Sequence, residues 1–318
     1  MTVPASYLES RRYESAAIQH QHAQDPVPCA IQPRDVAIVN DIRRYRFLTA
    51  TQLRELWWPG ASAQAANRRL RKLFDAGYLD RFRPLSYRGS YPWTYHLAGG
   101  GHQLLQHAGL VSATQRFNRR AVYDYSYVVH DLQLNAWVLA YRRGVRDELV
   151  SWEGETEVPP PADLRKGRPQ LGGNWTADGL RDQRPRLLRP DAVLELESDT
   201  DDQADRTIFI EYDRTRRPDK NYEKFRRYDS FLTWWWHHSS YRDHSKPPFV
   251  LFVCQDADQR DQFLAAADRE LTGHRWHPNA PLSEHEHTGR RHIVFATEID
   301  AYQGAHQAIR VLSAPPEY

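Results

Sequence analysis

The chain has few cysteines and lacks any long apolar segment. Cys29 and Cys254 are its only cysteines, which excludes a disulfide scaffold and a zinc site built from cysteines. No apolar run approaches the length of a membrane span, and the N-terminus lacks the basic and then hydrophobic segments of a secretory signal. We therefore expect a protein of the reducing cytoplasm that has no membrane partner.

The chain also has little net charge, but its basic residues are unevenly distributed. The formal net charge of all 318 residues is only +2. Between Arg34 and Leu97, however, twelve basic residues stand against five acidic ones, so this segment carries a net charge of +7. Such a local excess of positive charge is typical of a protein that binds a polyanion.

Changes in composition along the chain predict three parts. Residues 1–33 are polar and end in several prolines, so we expect a flexible arm, or one that is ordered only on docking. Residues 34–112 are predicted to form a DNA-binding domain. Residues 113–318 are predicted to form a second domain with a long loop at 153–189.

The basic segment has the element order of a winged helix. Apolar spacing predicts a helix that begins near Val36, a second short helix capped by Thr49 or Thr51, and a third that is capped by Ser62 and runs to about Ala76, before Gly77. Two strands, 78–83 and 91–97, follow. Three helices and then a β-hairpin form a winged helix, in which the third helix enters the major groove of DNA.

The third helix is amphipathic, which predicts the DNA contacts. Its buried stripe is expected to consist of Ala66, Leu70, Leu73 and Phe74. The opposite side bears Gln64, Arg68, Arg71 and Lys72, of which Gln64, Arg68 and Arg71 can bond the edges of adenine or guanine. In the hairpin, the side chains that suit phosphates are Arg81, Arg83 and Arg88. Two alternatives remain open, a surface helix with solvated charges and a protein-docking module.

The second part of the chain alternates between helices and strands. After a long helix over 123–143 and a strand over 149–152, the pattern predicts strands at 191–197 and 207–212, a helix over 218–237, a buried strand at 249–254, a helix over 258–271 and a last strand at 292–296. This order predicts an α/β domain with a mixed sheet, and the chain as a whole is α/β with α+β character.

Acidic side chains stand at the ends of two successive predicted strands. Asp191 opens the first strand, and Glu211 and Asp213 close the second, with both acids on one side of it. The helix that follows carries Lys220 and Lys224. We expect the acids to lie close together, where carboxylate oxygens suit Mg²⁺ or Mn²⁺. A turn role for Asp191 and a surface ion pair for Glu211 are the alternatives.

The segment Pro190-Asp191 followed by Glu211-x-Asp213 resembles a variant of the PD-(D/E)XK nuclease core. That core, joined to an N-terminal winged helix, resembles the replication-relaxation family of plasmids and mobile elements over about residues 34–300. The resemblance implies that Asp191 and Glu211 bind Mg²⁺ or Mn²⁺ and that the domain is restriction-endonuclease-like. The core pattern has lysine where this chain has Asp213, so Lys220 or Lys224 would supply the missing amine. In such a core the first helix can add an acid, which makes Asp131 a candidate third ligand.

Other reactive side chains fit less well. A relaxase needs a His-hydrophobic-His motif and a tyrosine nucleophile, and His285-Glu286-His287 has a charged middle residue. Tyr228, on the lysine-bearing helix, is the remaining nucleophile candidate. Trp234 lies off the apolar stripe of that helix and is a candidate for a homodimer contact or a DNA surface.

Two hypotheses follow from the sequence. In the first, the protein is a Mg²⁺-dependent endonuclease or nickase that hydrolyses double-stranded DNA, with Asp191, Glu211, Asp213 and a lysine as its catalytic residues. In the second, it is a non-catalytic replication or transcription factor whose nuclease-like domain serves dimerisation or partner binding.

Overall fold

The computed structural model divides the chain into two compact units, Met1–Ala140 and Tyr141–Tyr318. The structure describes residues 18–84, 91–118, 128–144, 149–154, 188–196, 206–213, 221–239, 241, 244, 246–271, 287–302 and 309–312. Within these residues helices and two β-sheets combine into an α/β fold, as the sequence predicts. None of the helices in this part of the chain has the length and apolar character that crossing a bilayer requires.

The first unit joins helices to one four-stranded antiparallel sheet. Its helices are α1 (Pro33–Tyr45), α2 (Ala50–Trp57), α3 (Ala63–Asp75), α4 (Gly99–His107) and the start of α5 (Val128–Gly144). Its strands are β1 (Ile18–Gln21), β2 (Leu48–Thr49), β3 (Leu79–Pro84) and β4 (Thr94–Leu97), in the order β1-β3-β4-β2. The hairpin β3-β4 therefore forms the centre of the sheet.

The helix boundaries follow from local signals in the sequence. The Thr49 hydroxyl accepts from the Gln52 backbone N–H at 3.1 Å, and the Gln52 side chain accepts from the Thr49 N–H at 2.8 Å, which is a capping box. Ser62 caps α3 through its hydroxyl. After α3 the chain turns at Gly77, whose φ of +75° favours glycine. The buried side chains of α3 are those predicted, Ala66, Leu70, Leu73 and Phe74.

Part of the predicted N-terminal arm is a strand. Residues 18–21 form β1, which pairs antiparallel with β3 so that Gln21 lies opposite Arg81. The Arg81 guanidinium also donates to Gln21 Oε1 at 2.8 and 3.1 Å. The strand is polar and lacks the apolar alternation by which strands are recognised, so no local pattern predicts it. Residues 1–17 lie outside the described residues.

The first unit extends further along the chain than the predicted boundary between residues 112 and 113. The first part of α5 belongs to it, because the Asn135 side-chain amide donates to the carbonyl oxygens of Tyr45 and Phe47, at 2.9 and 2.6 Å. Leu132 packs in the same cluster as Phe47 and Phe82. Two buried backbone oxygens at the end of α1 thus find their partner in α5.

The second unit contains a six-stranded mixed sheet. Its strands are β5 (Leu149–Gly154), β6 (Ala192–Leu196), β7 (Arg206–Tyr212), β8 (Phe249–Cys254), β9 (Ile293–Thr297) and β10 (Arg310–Val311). They lie in the order β10-β9-β8-β7-β6-β5. The pairs β7-β8 and β8-β9 are parallel, and the other pairs are antiparallel. The predicted loop at 153–189 begins later, because β5 continues to Gly154, and residues 155–187 lie outside the described residues.

Three helices accompany the sheet in the described part of the second unit, α6 (Tyr222–Ser230), α7 (Ala257–Glu270) and α8 (Glu298–Tyr302). A π-helical turn over Phe231–Trp235 and a 3-10 turn over Trp236–His238 continue α6, and a second 3-10 turn spans Thr288–His292. Aromatic side chains from α6 and its continuation, among them Phe225, Tyr228 and Phe231, pack with Phe209 and Phe252 of the sheet. This packing fixes α6 over the end of β7. The side chain of Trp234 lies outside the described part of the chain.

Candidate active site and nucleic-acid interface

Asp191 and Glu211 lie on neighbouring strands of the second unit. The register Ala192↔Ile210 places Asp191, just before β6, beside Glu211 near the end of β7. The backbone N–H of Asp191 donates to Ile210 O at 2.9 Å, and the Tyr212 N–H donates to Asp191 Oδ2 at 2.8 Å. Asp191 is therefore hydrogen-bonded to both residues that flank Glu211. The two predicted acids come together at one point of the sheet.

The Glu211 carboxylate is buried and bonded at both oxygens. Only 1% of the residue is exposed. The Tyr228 hydroxyl donates to Oε1 at 2.5 Å, and the Lys224 ammonium pairs with Oε2. Lys224 and Tyr228 are four residues apart on α6, so they project from the same side of the helix and reach one carboxylate. Of the two predicted lysines, Lys224 pairs with Glu211, and Lys220 lies outside the described residues.

Asp191, Glu211, Lys224 and Tyr228 form an acidic cluster in which neighbouring groups shift one another's pKa values. Burial and, after it, the charge of Asp191 raise the pKa of Glu211 to about 7, against the lowering effects of Lys224 and Tyr228. Burial alone would lower the pKa of Lys224, but the charges of Glu211 and Asp191 outweigh it and raise that pKa above its usual range. Burial also raises the pKa of Tyr228 well above its ordinary value. Lys224 is therefore a stable cation, and Tyr228 keeps its proton.

Asp213 fixes the start of α6. Asn221, which is buried just before this helix, donates to Asp213 Oδ2 at 2.7 Å. The side-chain amide of Gln259 on α7 donates to the Asp213 carbonyl oxygen at 3.3 Å. The charge of Asp213 also contributes to the raised pKa of Lys224. Asp213 thus belongs to the cluster by its charge and by its hold on the helix that carries Lys224.

The donor set of the cluster suits a hard divalent cation. Asp191 and Glu211 offer carboxylate oxygens from adjacent strand ends, and carboxylate oxygen is the ligand type that Mg²⁺ and Mn²⁺ take. An acid whose pKa lies at about 7 can exchange its proton for a metal near neutrality. The residues that can hold the ion are therefore Asp191 and Glu211.

Asp131, the candidate third ligand, has a different partner in the first unit. Its Oδ2 accepts from Arg46 Nη1 at 2.9 Å, and its Oδ1 lies 3.4 Å from His130 Nδ1. Arg46 follows α1 with a φ of +60°, a conformation that is uncommon outside glycine. The ion pair holds the end of α1 against the start of α5, which gives Asp131 a structural role.

The predicted DNA-reading side of α3 is exposed. Gln64, Arg68, Arg71 and Lys72 all face solvent. Arg71 lies 3.5 Å from Asp75, one turn further along the helix. Arg69, although next to Arg68, faces the interior, where it pairs with the fully buried Asp35 of α1. The helix thus holds itself to α1 through one arginine and presents the others outward.

The arginines of the hairpin pack on aromatic rings. The guanidinium carbon of Arg81 lies 4.2 Å from the ring centres of both Phe74 and Trp93, and that of Arg83 lies 4.6 Å from Trp93. Both arginines are half-buried. Stacking on aromatic rings therefore holds the side chains of Arg81 and Arg83 in place. Arg88 lies outside the described residues.

Two tyrosines near the site have partners that sequence patterns do not predict. Tyr228 is a nucleophile candidate by sequence, but its hydroxyl binds Glu211. Tyr212, next to Glu211, directs its hydroxyl to the other face of the sheet and donates to Glu298 Oε1 at 2.5 Å. The alternation of β7 places Glu211 and Tyr212 on opposite faces. Nothing in the local sequence identifies the partners, since they lie 17 and 86 residues away.

Comparison with known proteins gives one match. The sequence pattern of the family described as "Replication-relaxation" matches residues 39–241, which is more than half of the chain. The match includes α3, both acidic strand ends and α6. No curated protein and no solved structure matches the chain.

Proposed function

The chain belongs to the replication-relaxation family, and from that premise we propose that it binds duplex DNA and nicks or cleaves it by metal-dependent hydrolysis. Its membership makes it a DNA-associated protein connected with replication and plasmids. The observation that carries the catalytic part is the meeting of Asp191, Glu211 and Lys224 at one end of the mixed sheet. This arrangement supports a PD-(D/E)XK-like nuclease site.

Binding is the first step of the proposal. The first unit has the order helix, short strand, two helices and hairpin, which is compatible with a winged helix. Its α3 would enter the major groove with Gln64, Arg68 and Arg71 toward base edges. Lys72, Arg81 and Arg83 would neutralise phosphates along the groove. Because these three cations would contact phosphates, affinity is expected to fall as the salt concentration rises.

Hydrolysis is the second step. Asp191 and Glu211 would hold a Mg²⁺ or Mn²⁺ ion, which when bound polarises a phosphoryl oxygen and makes water a better nucleophile. Lys224 keeps its charge at neutral pH and would stabilise the negative charge that develops on the phosphate. Tyr228 orients the Glu211 carboxylate. Asp213 anchors α6, the helix that carries both Lys224 and Tyr228.

Nicking of supercoiled plasmid tests the proposal. We expect the full chain to convert supercoiled DNA to open circles in Mg²⁺ or Mn²⁺, and Asp191→Ala and Glu211→Ala to abolish the conversion. Lys224→Ala should slow it roughly 10²–10³-fold, the effect of removing one group that stabilises transition-state charge. Glu195→Ala is the matched control, since Glu195 lies on the same strand as the site but is exposed. Equal nicking by all four variants would refute the site.

A second function is favoured by the bonding of Glu211 itself. Both of its oxygens already accept from side chains, Tyr228 and Lys224, as in a purely structural ion pair. In this case the protein is a non-catalytic replication or transcription factor that uses the second unit for dimerisation or for binding a partner. This second function predicts that the protein does not cut DNA at any metal concentration. It also predicts that Asp191→Ala and Glu211→Ala bind duplex DNA as the wild type does.

The proposal includes a cytoplasmic location. Its support is the pair of free cysteines, Cys29 and Cys254, which suits a reducing compartment.

A further inference from the structure

The sheet of the first unit gathers several polar side chains on one face. The register pairs His20 of β1 with Phe82 of β3, and Asp80 of β3 with His96 of β4. His22 directly follows β1 and so comes beside Asp80. Since side chains two residues apart on a strand share a face, His20, His22, Asp80 and His96 all project to the same side. Three strands that are distant in sequence thus bring three imidazoles and a carboxylate together.

The ligand atoms of three of these side chains are close enough to share one ion. One ligand atom each from His20, His22 and Asp80 lie within 4.8 Å of one another. His22 Nδ1 stands 3.0 Å from Asp80 Oδ2. Ligand atoms around a tetrahedral Zn²⁺ stand about 3.3 Å apart, because each bond is about 2.0 Å long. The spacing therefore approaches that of a filled site.

His96 orients one of the imidazoles. Its Nε2 lies 3.0 Å from His20 Nε2, and its Nδ1 lies 3.4 Å from Leu97 O. A carbonyl oxygen only accepts, so Nδ1 of the His96 ring donates to Leu97 and Nε2 accepts from the His20 N–H. This tautomer puts the lone pair of His20 on Nδ1. Metal-binding histidines are held in the same way, by a hydrogen bond at the nitrogen that does not bind the metal.

The three candidate ligands lie at the edge of the protein interior, with a buried carboxylate on one side and solvent on the other. Asp80 is 4% exposed and His96 is fully buried, whereas 47% of the His22 side chain is exposed. Asp80 pairs with His22 at 3.0 Å, and a divalent cation bound between the two side chains would neutralise the buried carboxylate in place of the imidazole proton. The exposed ring of His22 provides the opening by which an ion enters and at which water can complete the coordination.

We propose that His20, His22 and Asp80 bind one Zn²⁺ ion, which fastens the N-terminal strand β1 to the hairpin of the DNA-binding unit. Imidazole nitrogen and carboxylate oxygen are ligands that zinc takes, and three protein ligands plus water complete a tetrahedral site. The ion would link His20 and His22, in and just after β1, to Asp80 of β3, and so strengthen the pairing of this short polar strand with the hairpin. This site is separate in its residues and its metal from the acidic cluster around Glu211.

Calorimetric titration of Zn²⁺ into the metal-free full chain tests the site. The buffer contains excess Mg²⁺, so that carboxylate sites for hard cations are already occupied. We expect saturable binding of one Zn²⁺ per chain. His20→Ala, His22→Ala and Asp80→Asn should each weaken binding by at least about tenfold to a hundredfold, because each variant lacks a ligand and even changes around the ligands have effects of that size. His107→Ala is the matched control, since it removes an exposed histidine of the same unit.

Thermal unfolding guards against variants that fail to fold. His22 is the most exposed of the three ligands, so His22→Ala is expected to fold. At one fixed concentration, Zn²⁺ should raise the Tm of the wild-type protein and of His107→Ala to the same extent and that of His22→Ala by clearly less. The proposal is overturned if the wild-type chain shows no saturable binding. It is equally overturned if His20→Ala and His22→Ala bind Zn²⁺ as tightly as the wild type, because the ion would then lie elsewhere.

Discussion

The Tyr228 hydroxyl and the Glu211 carboxylate form a buried hydrogen bond of 2.5 Å between α6 and β7. Lys224 takes the second oxygen of the same carboxylate from one helical turn away. A carboxylate with two side-chain donors keeps one orientation, and here the charge of Asp191 on the neighbouring strand acts on it. The helix that follows β7 is therefore what prepares Glu211 for any chemistry at this point of the sheet.

Replacement of Tyr228 by Phe should lower stability and slow nicking without abolishing it. The change removes one hydrogen bond to a buried charged group, so the free energy of unfolding should fall by about 1–3 kcal/mol in urea titrations. Because the tyrosine keeps its proton, it is not the nucleophile, and plasmid nicking should persist at a reduced rate, since Glu211 loses one of the two donors that orient it. Tyr222→Phe, on the same helix, is the control. Loss of nicking together with a covalent tyrosine–DNA adduct in the wild-type protein would instead identify Tyr228 as a nucleophile.

Replacement of Lys224 by Met should destabilise the fold. Removal of one partner of a buried ion pair costs about 3–5 kcal/mol, and the 41% exposure of the Lys224 side chain reduces the expected loss to about 2 kcal/mol. The double variant with Glu211→Gln should regain much of that stability, because the buried charge is then gone. A double-mutant cycle in urea measures the coupling. If the losses of the two single variants simply add in the double variant, the ion pair contributes nothing to stability.

Binding of Mn²⁺ at the acidic cluster should strengthen as pH rises. Burial and Asp191 raise the pKa of Glu211 to about 7, so below that pH a proton occupies the carboxylate that the metal needs. The apparent affinity should therefore increase as pH rises through about 7 and level off above it. Lys224→Met removes a lowering effect, and the midpoint should move to higher pH. A pH-independent affinity would exclude Glu211 as a ligand.

Replacement of Arg68 and Arg71 by Ala should weaken duplex binding without affecting stability. Removing an arginine that bonds a base edge should cost about 1–3 kcal/mol of binding free energy. Removing one that bonds a phosphate should reduce the slope of log affinity against log salt concentration by about one unit. Fluorescence anisotropy at several salt concentrations measures both effects. Unchanged affinity in the double variant would remove α3 from the interface.

Replacement of Arg69 by Ala should lower stability and leave duplex binding unchanged. Arg69 holds the pKa of Asp35 below its usual value despite burial, and Asp35 is fully buried. The variant should therefore lose about 3 kcal/mol of stability, the cost of an unpaired buried charge. The salt dependence of DNA binding should stay the same at temperatures where the variant is folded. A flattened salt dependence would show that Arg69 contacts phosphate.

Much of the architecture is encoded locally and can be predicted from the sequence. Apolar spacing and capping residues set the bounds of α3, whose buried stripe agrees with the structure at all four positions. Strand alternation puts Glu211 on the face opposite Tyr212. Because β6 and β7 are successive strands, the meeting of Asp191 with Glu211 can be expected. Weakly periodic segments escape such prediction, and β1 is the clearest of them.

The identity of the elements, and the positions of the acids and of the basic helix along them, follow from residue types and spacing. The fold determines which of the other side chains pair. It buried Arg69 against Asp35 while the adjacent Arg68 stayed exposed, gave Asp131 to Arg46, and brought His22 to Asp80. The physical reason is that periodicity acts over a few residues. Partners such as Tyr228 and Glu298 are selected by burial and by strand register across long stretches of chain, which no local pattern records.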